Sequence, residues 1–155
     1  MPRFTHPLSW RLNPTPNGPL RIAVRAEIAV EILNASGDWI ELLCLVDTGA
    51  SFPMMGTQLA RSMDLAIPTT TNTLKLRTAE GVVDSLVRDG ELTLRFPQMP
   101  ERELALKWVF RDDQPAAVPA VLGLHNTIDL MSILFDGTKR PDGFMGCMEF
   151  MFPDD

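Results

Sequence analysis

Cysteine and histidine are scarce in this 155-residue chain, two of each. Cys44 and Cys147 both lie inside apolar runs. They read as buried free thiols in a reducing compartment, with a single disulfide as the alternative. His6 and His125 have no metal-ligand spacing with those cysteines, so neither structural zinc nor any other metal or cofactor is expected. Continuous apolar segments long enough for a secretory core or a membrane span are also missing. A soluble, cytoplasmic protein with no membrane partner is the expectation. There is no basic excess: the formal net charge is −6 and the pI about 4.9, the wrong sign for a nucleic-acid surface. No run of like charge reads as an interaction tail, and no internal repeat or linker divides the chain.

What is present is ordinary for one globular domain, 45% hydrophobic and 22% charged. Residues 1–19, interrupted by Pro2, Pro7, Pro14, Pro16 and Pro19, read as an irregular Pro-rich arm, and residues 20–155 as the domain. Leu20, Ile22, Val24, Ala26, Ile28, Val30 and Ile32 fall at every second position, which predicts one half-buried strand. A turn over Asn34–Asp38 leads into a second strand, Trp39–Val46. Gly56–Leu65 is the best helical stretch, with Thr57 as its cap and Leu59 and Met63 on one face. Thr73–Arg88 reads as a hairpin tipped by Ala79-Glu80-Gly81, and Asp89-Gly90 as a turn. Leu92–Phe96, Leu104–Phe110 and Ile133–Phe135 are further strands, and a short helix is expected over Asn126–Met131. The end, Phe144–Phe152, is apolar on both faces. Short strands with regular turns and little helix predict a mostly-β barrel.

One stretch carries chemistry. Leu42–Val46 reads as a buried apolar strand, and it ends in Asp47-Thr48-Gly49-Ala50-Ser51. A carboxylate where a strand leaves the core is costly unless it is hydrogen-bonded or used. A glycine two residues on allows close approach of another chain.

Asp47-Thr48-Gly49 resembles the active-site signature of aspartic proteases, and Ala50-Ser51 extends the likeness to the retropepsin-like branch. Val121-Leu122-Gly123 resembles the family's apolar-apolar-glycine strand beneath that loop, and the hairpin at Ala79–Gly81 stands where the family has its flap. The resemblance covers roughly Leu20–Phe152. It implies a retropepsin-like closed β-barrel with one or two short helices, one lobe per protomer, active as a two-fold homodimer. Asp47 would be catalytic, supported by Thr48, Gly49, Ala50 and Ser51. Ala79, Glu80, Gly81, Val82, Val83, Leu122 and Gly123 would form the flap and substrate-binding surface for an extended peptide or protein substrate. The two-faced C-terminus would supply an interdigitated dimer sheet or, alternatively, a central strand of the monomer.

Departures accompany the match. Ser51 and Leu124 stand where retroviral members pair an acid with an arginine, so the chain looks more like cellular and bacterial members. The flap tip holds one glycine, and His125 stands where the family often has Asp or Asn and reads as structural. With a single Asp-Thr-Gly, hydrolysis requires two copies of the chain. The leading expectation is an aspartic endopeptidase. A catalytically silent retropepsin-like dimerisation or peptide-binding domain is the alternative, and an unrelated β-barrel binding protein a third.

Overall fold

A computed structural model describes residues 1–78, 81–123, 127, 130–138 and 146–154. Along them run strands β1 (Arg3–Pro7), β2 (Ser9–Thr15), β3 (Gly18–Arg25), β4 (Glu27–Leu33), β5 (Trp39–Val46) and β6 (Met54–Gly56). Helix α1 (Thr57–Ser62) follows, then β7 (Asn72–Thr78), β8 (Gly81–Phe96), β9 (Met99–Arg111), β10 (Ala120–Leu122), β11 (Ser132–Asp136) and β12 (Cys147–Met151).

Seven strands form the main sheet in the order β4-β5-β10-β6-β9-β8-β7. β4 also pairs with β8 through Glu31↔Arg95 and Ile32↔Leu94, so the hydrogen-bonded order curls back on itself. Alternation drives this closure. Ile28, Val30 and Ile32 of β4 and Leu42 and Cys44 of β5 point inward. They meet Leu92, Leu94 and Phe96 of β8 and Leu106, Trp108 and Phe110 of β9 in one buried core. Both cysteines are buried and neither is in a disulfide, and burial pushes the Cys44 thiol well above its ordinary range.

β1, β12 and β11 make a separate antiparallel sheet with β12 in the middle. Phe4, Phe150 and Phe152 stack there and tilt against Phe96 of the main sheet, which joins the two sheets.

Several expectations change. The first 19 residues are largely extended rather than irregular. The long alternating run from Leu20 breaks at Ala26, leaving β3 in a two-stranded ribbon with β2 and β4 in the main sheet. Asp89-Gly90 is not a turn, because β8 runs through it with Gly90 opposite Trp108. A Cβ on Gly90 would stand 2.9 Å from the Pro68 ring and 3.1 Å from the Phe110 ring, so this glycine serves close packing within a strand. The helix is shorter than Gly56–Leu65. Thr57 lies inside it, and its hydroxyl donates to Asp112 Oδ1 at 2.6 Å instead of capping. The expected helix over Asn126–Met131 falls largely outside the described residues, as do His125 and Leu124. Both edges of β12 are filled by strands of its own chain, so the C-terminus is a central strand of the protomer and not a free dimerisation strand.

Candidate active site

The site is built by one parallel pairing. β10 lies alongside β5 with Leu122 opposite Val46, so both strands end at the same level and Asp47 and Gly123 leave the sheet side by side. The Asp47 N–H donates to the Leu122 carbonyl at 3.1 Å, and the Ala50 N–H closes the turn on the Asp47 carbonyl at 3.2 Å. Asp47 Oδ1 accepts from the Gly49 N–H at 2.8 Å, and Oδ2 has no hydrogen-bond partner among the described residues. Gly123 passes so close to the following segment that a Cβ there would fall on the Phe52 carbonyl and 2.7 Å from the Phe52 nitrogen. Only glycine fits this backbone-on-backbone contact.

Asp47, Thr48, Gly49 and Ser51 are exposed and Ala50 is half-buried. Among the described residues the Thr48 and Ser51 hydroxyls make no hydrogen bond within the chain. The loop forms one side of an open cleft of about 600 Å³, lined by Asp47, Gly49, Phe52, Arg111, Gln114 and Val121 and walled by Leu74–Arg77 of β7.

That wall belongs to the expected hairpin. β7 and β8 pair from Asn72↔Val87 to Thr78↔Gly81, with Gly81 at φ +123° where the chain re-enters the ladder. Ala79 and Glu80, expected at its tip, lie outside the described residues. Val82 and Val83 are exposed near the tip on β8, at 62% and 37%, outside the cleft's lining. Leu122 is buried, so its carbonyl reaches the Asp47 loop while Val121 takes the lining position expected of it.

Two ion pairs brace the hairpin's base. Arg88 donates through Nε and Nη2 to both oxygens of Asp112 at 3.1 and 3.0 Å, and through Nη1 to the carbonyls of Pro68 and Thr69. Arg111 forks onto Asp113 at 3.1 and 2.9 Å, and the Ser85 hydroxyl donates to the same carboxylate at 2.9 Å. The Arg88 guanidinium, then the Thr57 hydroxyl, hold the Asp112 carboxyl below its usual range; Arg111 does the same for Asp113. Sequence reading missed this bracing, because Arg111–Pro115 shows only as a polar break between apolar runs. Two adjacent acids at a strand end, opposite arginines on two strands, were the available signal.

The arrangement offers one exposed carboxylate, with one oxygen oriented by the backbone and the other open to a cleft. Such a group serves as general base toward a water. Among the described residues no second carboxylate shares the cleft's lining.

Neither a comparison with protein-family models nor one with curated protein sequences gives a match. Among solved structures, the chain is similar to the EIAV protease complexed with the inhibitor HBY-793, at 16% identity and a TM-score of 0.47, over 64% of this chain and 81% of that one. It is also similar to a retropepsin-like aspartic protease from Rickettsia conorii, at 14% identity and a TM-score of 0.47, over 81% of this chain and 91% of that one.

Proposed function

We propose that the chain is an aspartic endopeptidase whose active form is a homodimer, with Asp47 of each protomer meeting at a two-fold axis. One observation carries the reading. Asp47 stands exposed at a strand end, held by the Leu122 carbonyl and the Gly49 amide, on a loop that only a glycine at position 123 allows. This is a carboxylate positioned by its backbone rather than one neutralised by a partner.

In the dimer two such carboxylates, about 3 Å apart, share one proton, since like charges that close do not both ionise. The ionised Asp47 takes a proton from water as its oxygen attacks the scissile carbonyl carbon. The partner's Asp47 gives its proton to the carbonyl oxygen. The tetrahedral diol then collapses and the C–N bond breaks: the leaving amine takes the proton that the first Asp47 drew from water, and one diol hydroxyl returns its proton to the partner's Asp47. Thr48 holds the two loops together through its free hydroxyl. The peptide lies extended beneath the two hairpins and adds main-chain hydrogen bonds at their edges. Leu74, Leu76 and Val121, which line the cleft, favour apolar residues beside the cleaved bond.

Asp47→Asn tests this directly. The amide oxygen still accepts from Gly49, so the loop and the melting temperature stay as in the wild type, while cleavage of a peptide library falls by about a hundredfold or more. Unchanged cleavage in that variant, or a dimeric wild type that cuts nothing from acidic to neutral pH, refutes the reading.

A further inference from the structure

The ribbon of β2 and β3 is turned inside out. Its register sets Trp10 opposite Val24 and Leu12 opposite Ile22, with Leu20 two residues along, so five large apolar side chains share one face. All five are exposed: Trp10 53%, Leu12 52%, Leu20 61%, Ile22 57% and Val24 45%. The less exposed residues, Ser9, Ala23 and Arg25, lie on the other face. Among the described residues no third strand pairs with the ribbon. A two-stranded ribbon with its apolar face in water is marginal by itself, and something covers it.

Two observations identify the cover. The ribbon is rooted at the site: the Val46 N–H, one residue before Asp47, donates at 2.7 Å to the carbonyl of Ala26, the residue between β3 and β4. The five side chains present roughly 500 Å² per chain, so two copies bring about 1,000 Å² toward the roughly 1,200–2,000 Å² of a stable interface.

We infer that the β2–β3 ribbon is the dimer clasp: its apolar face seats on a second copy of the chain beside the Asp47 loop, and the copy returns the contact. The inference rests on the two-carboxylate reading for its functional meaning. It supplies the contact that the C-terminal strand, paired on both edges within its own chain, does not leave free.

Sedimentation velocity over a dilution series of the full chain tests it, with wild type, Asp47→Asn, Leu12→Asn/Ile22→Asn and Arg21→Ser compared. Wild type, Asp47→Asn and Arg21→Ser dimerise alike, and the Leu12/Ile22 double variant dissociates at least about a hundredfold more readily with unchanged circular dichroism. Peptide cleavage by the double variant then falls at low concentration and recovers at high concentration. A double variant that dimerises and cleaves like the wild type overturns the clasp and leaves the protease reading standing. A wild type that stays monomeric yet floats with phosphatidylcholine–phosphatidylserine vesicles overturns the clasp in favour of a membrane surface. Failure of the wild type to cleave while the double variant still loses its dimer sinks the protease reading and leaves the clasp.

Discussion

A methyl group added at Gly123 is the smallest change that sets the Asp47 loop against its own floor. The new Cβ of Gly123→Ala would stand 2.7 Å from the Phe52 nitrogen and closer still to its carbonyl, and both are backbone atoms that no rotamer change removes. Overpacking of this kind costs about 1–3 kcal/mol. At this chain length each kcal/mol lowers the melting temperature by roughly 2–4 °C, so a fall of about 2–12 °C is expected. The activity loss is larger than that implies. Gly123 follows Leu122, whose carbonyl holds the Asp47 N–H at 3.1 Å, so strain relieved by moving either segment displaces the carboxylate. A displacement near 1 Å is worth about a hundredfold in rate. Gly37→Ala is the control: at φ +88° and with nothing near its Cβ position, it costs about 1 kcal/mol through strain alone, far from the cleft. Thermal denaturation and peptide cleavage well below the melting temperature separate the two effects. If Gly123→Ala melts and cleaves within error of the wild type, Gly123 does not underlie the loop and the account of the site is wrong.

Other perturbations probe the scaffold. Phe150→Ala, which removes the ring stacked 4.8 Å from Phe4 and tilted 5.2 Å from Phe96, should cost about 3–5 kcal/mol. Because β12 is paired within its own chain, that loss should not depend on protein concentration; a concentration-dependent loss would mean strands exchanged between protomers. Arg88→Met should loosen the hairpin and lower the melting temperature above the carboxylate range. Asp112 is held below its usual value in the fold, so its contribution is present above the unfolded value and fades as pH falls through the folded one. The gap between variant and wild type should therefore narrow on acidification, and a constant gap counts against the pair. His6 is displaced downward, burial outweighing a hydrogen bond with the Glu27 backbone, so the fold favours its neutral form. Its unfolded form binds protons first as pH falls from neutrality, and stability drops over that window. His6→Gln should flatten that limb in a series of pH-dependent melts, and an unchanged limb rules the histidine out as its source.

Much of the fold was legible because one buried face writes a period of two. The hairpin of β4 and β5 falls where alternation and the turn at Asn34–Asp38 place it. The pairing of β7 with β8 likewise follows the apolar pattern on either side of Ala79–Gly81. What failed shares one cause: alternation marks two faces but not what covers the apolar one. The run from Leu20 to Ile32 never changes period, yet it passes from an exposed ribbon to a core strand at Ala26. Gly90 misled in the same way, since a glycine that admits Pro68 and Phe110 spells the same dipeptide as a turn. The bracing of the hairpin was hidden because Arg88–Asp112 and Arg111–Asp113 join polar residues whose pairing depends on strands brought together only by the fold.

The candidate site was legible for a different reason. An enzyme site complete within one chain gathers its groups in a pocket, and burial and clustering then betray it. On the proposed two-fold reading Asp47 has neither mark: Asp47, Thr48 and Ser51 are exposed, and among the described residues no second acid lines the cleft. What remains is the backbone constraint that holds the loop, and that constraint is written in glycines. Gly49 turns its amide onto Asp47, and Gly123 clears the space for Phe52. Exposure of these side chains is thus what the proposed dimer requires of a single protomer. The same holds for the apolar face of the ribbon rooted beside them. Two exposed surfaces of opposite character, one polar and one apolar, meet at Ala26 and Val46. A single docking event that covers both would complete the carboxylate pair and remove the apolar face from water, and so couple folding stability to catalytic competence through protein concentration.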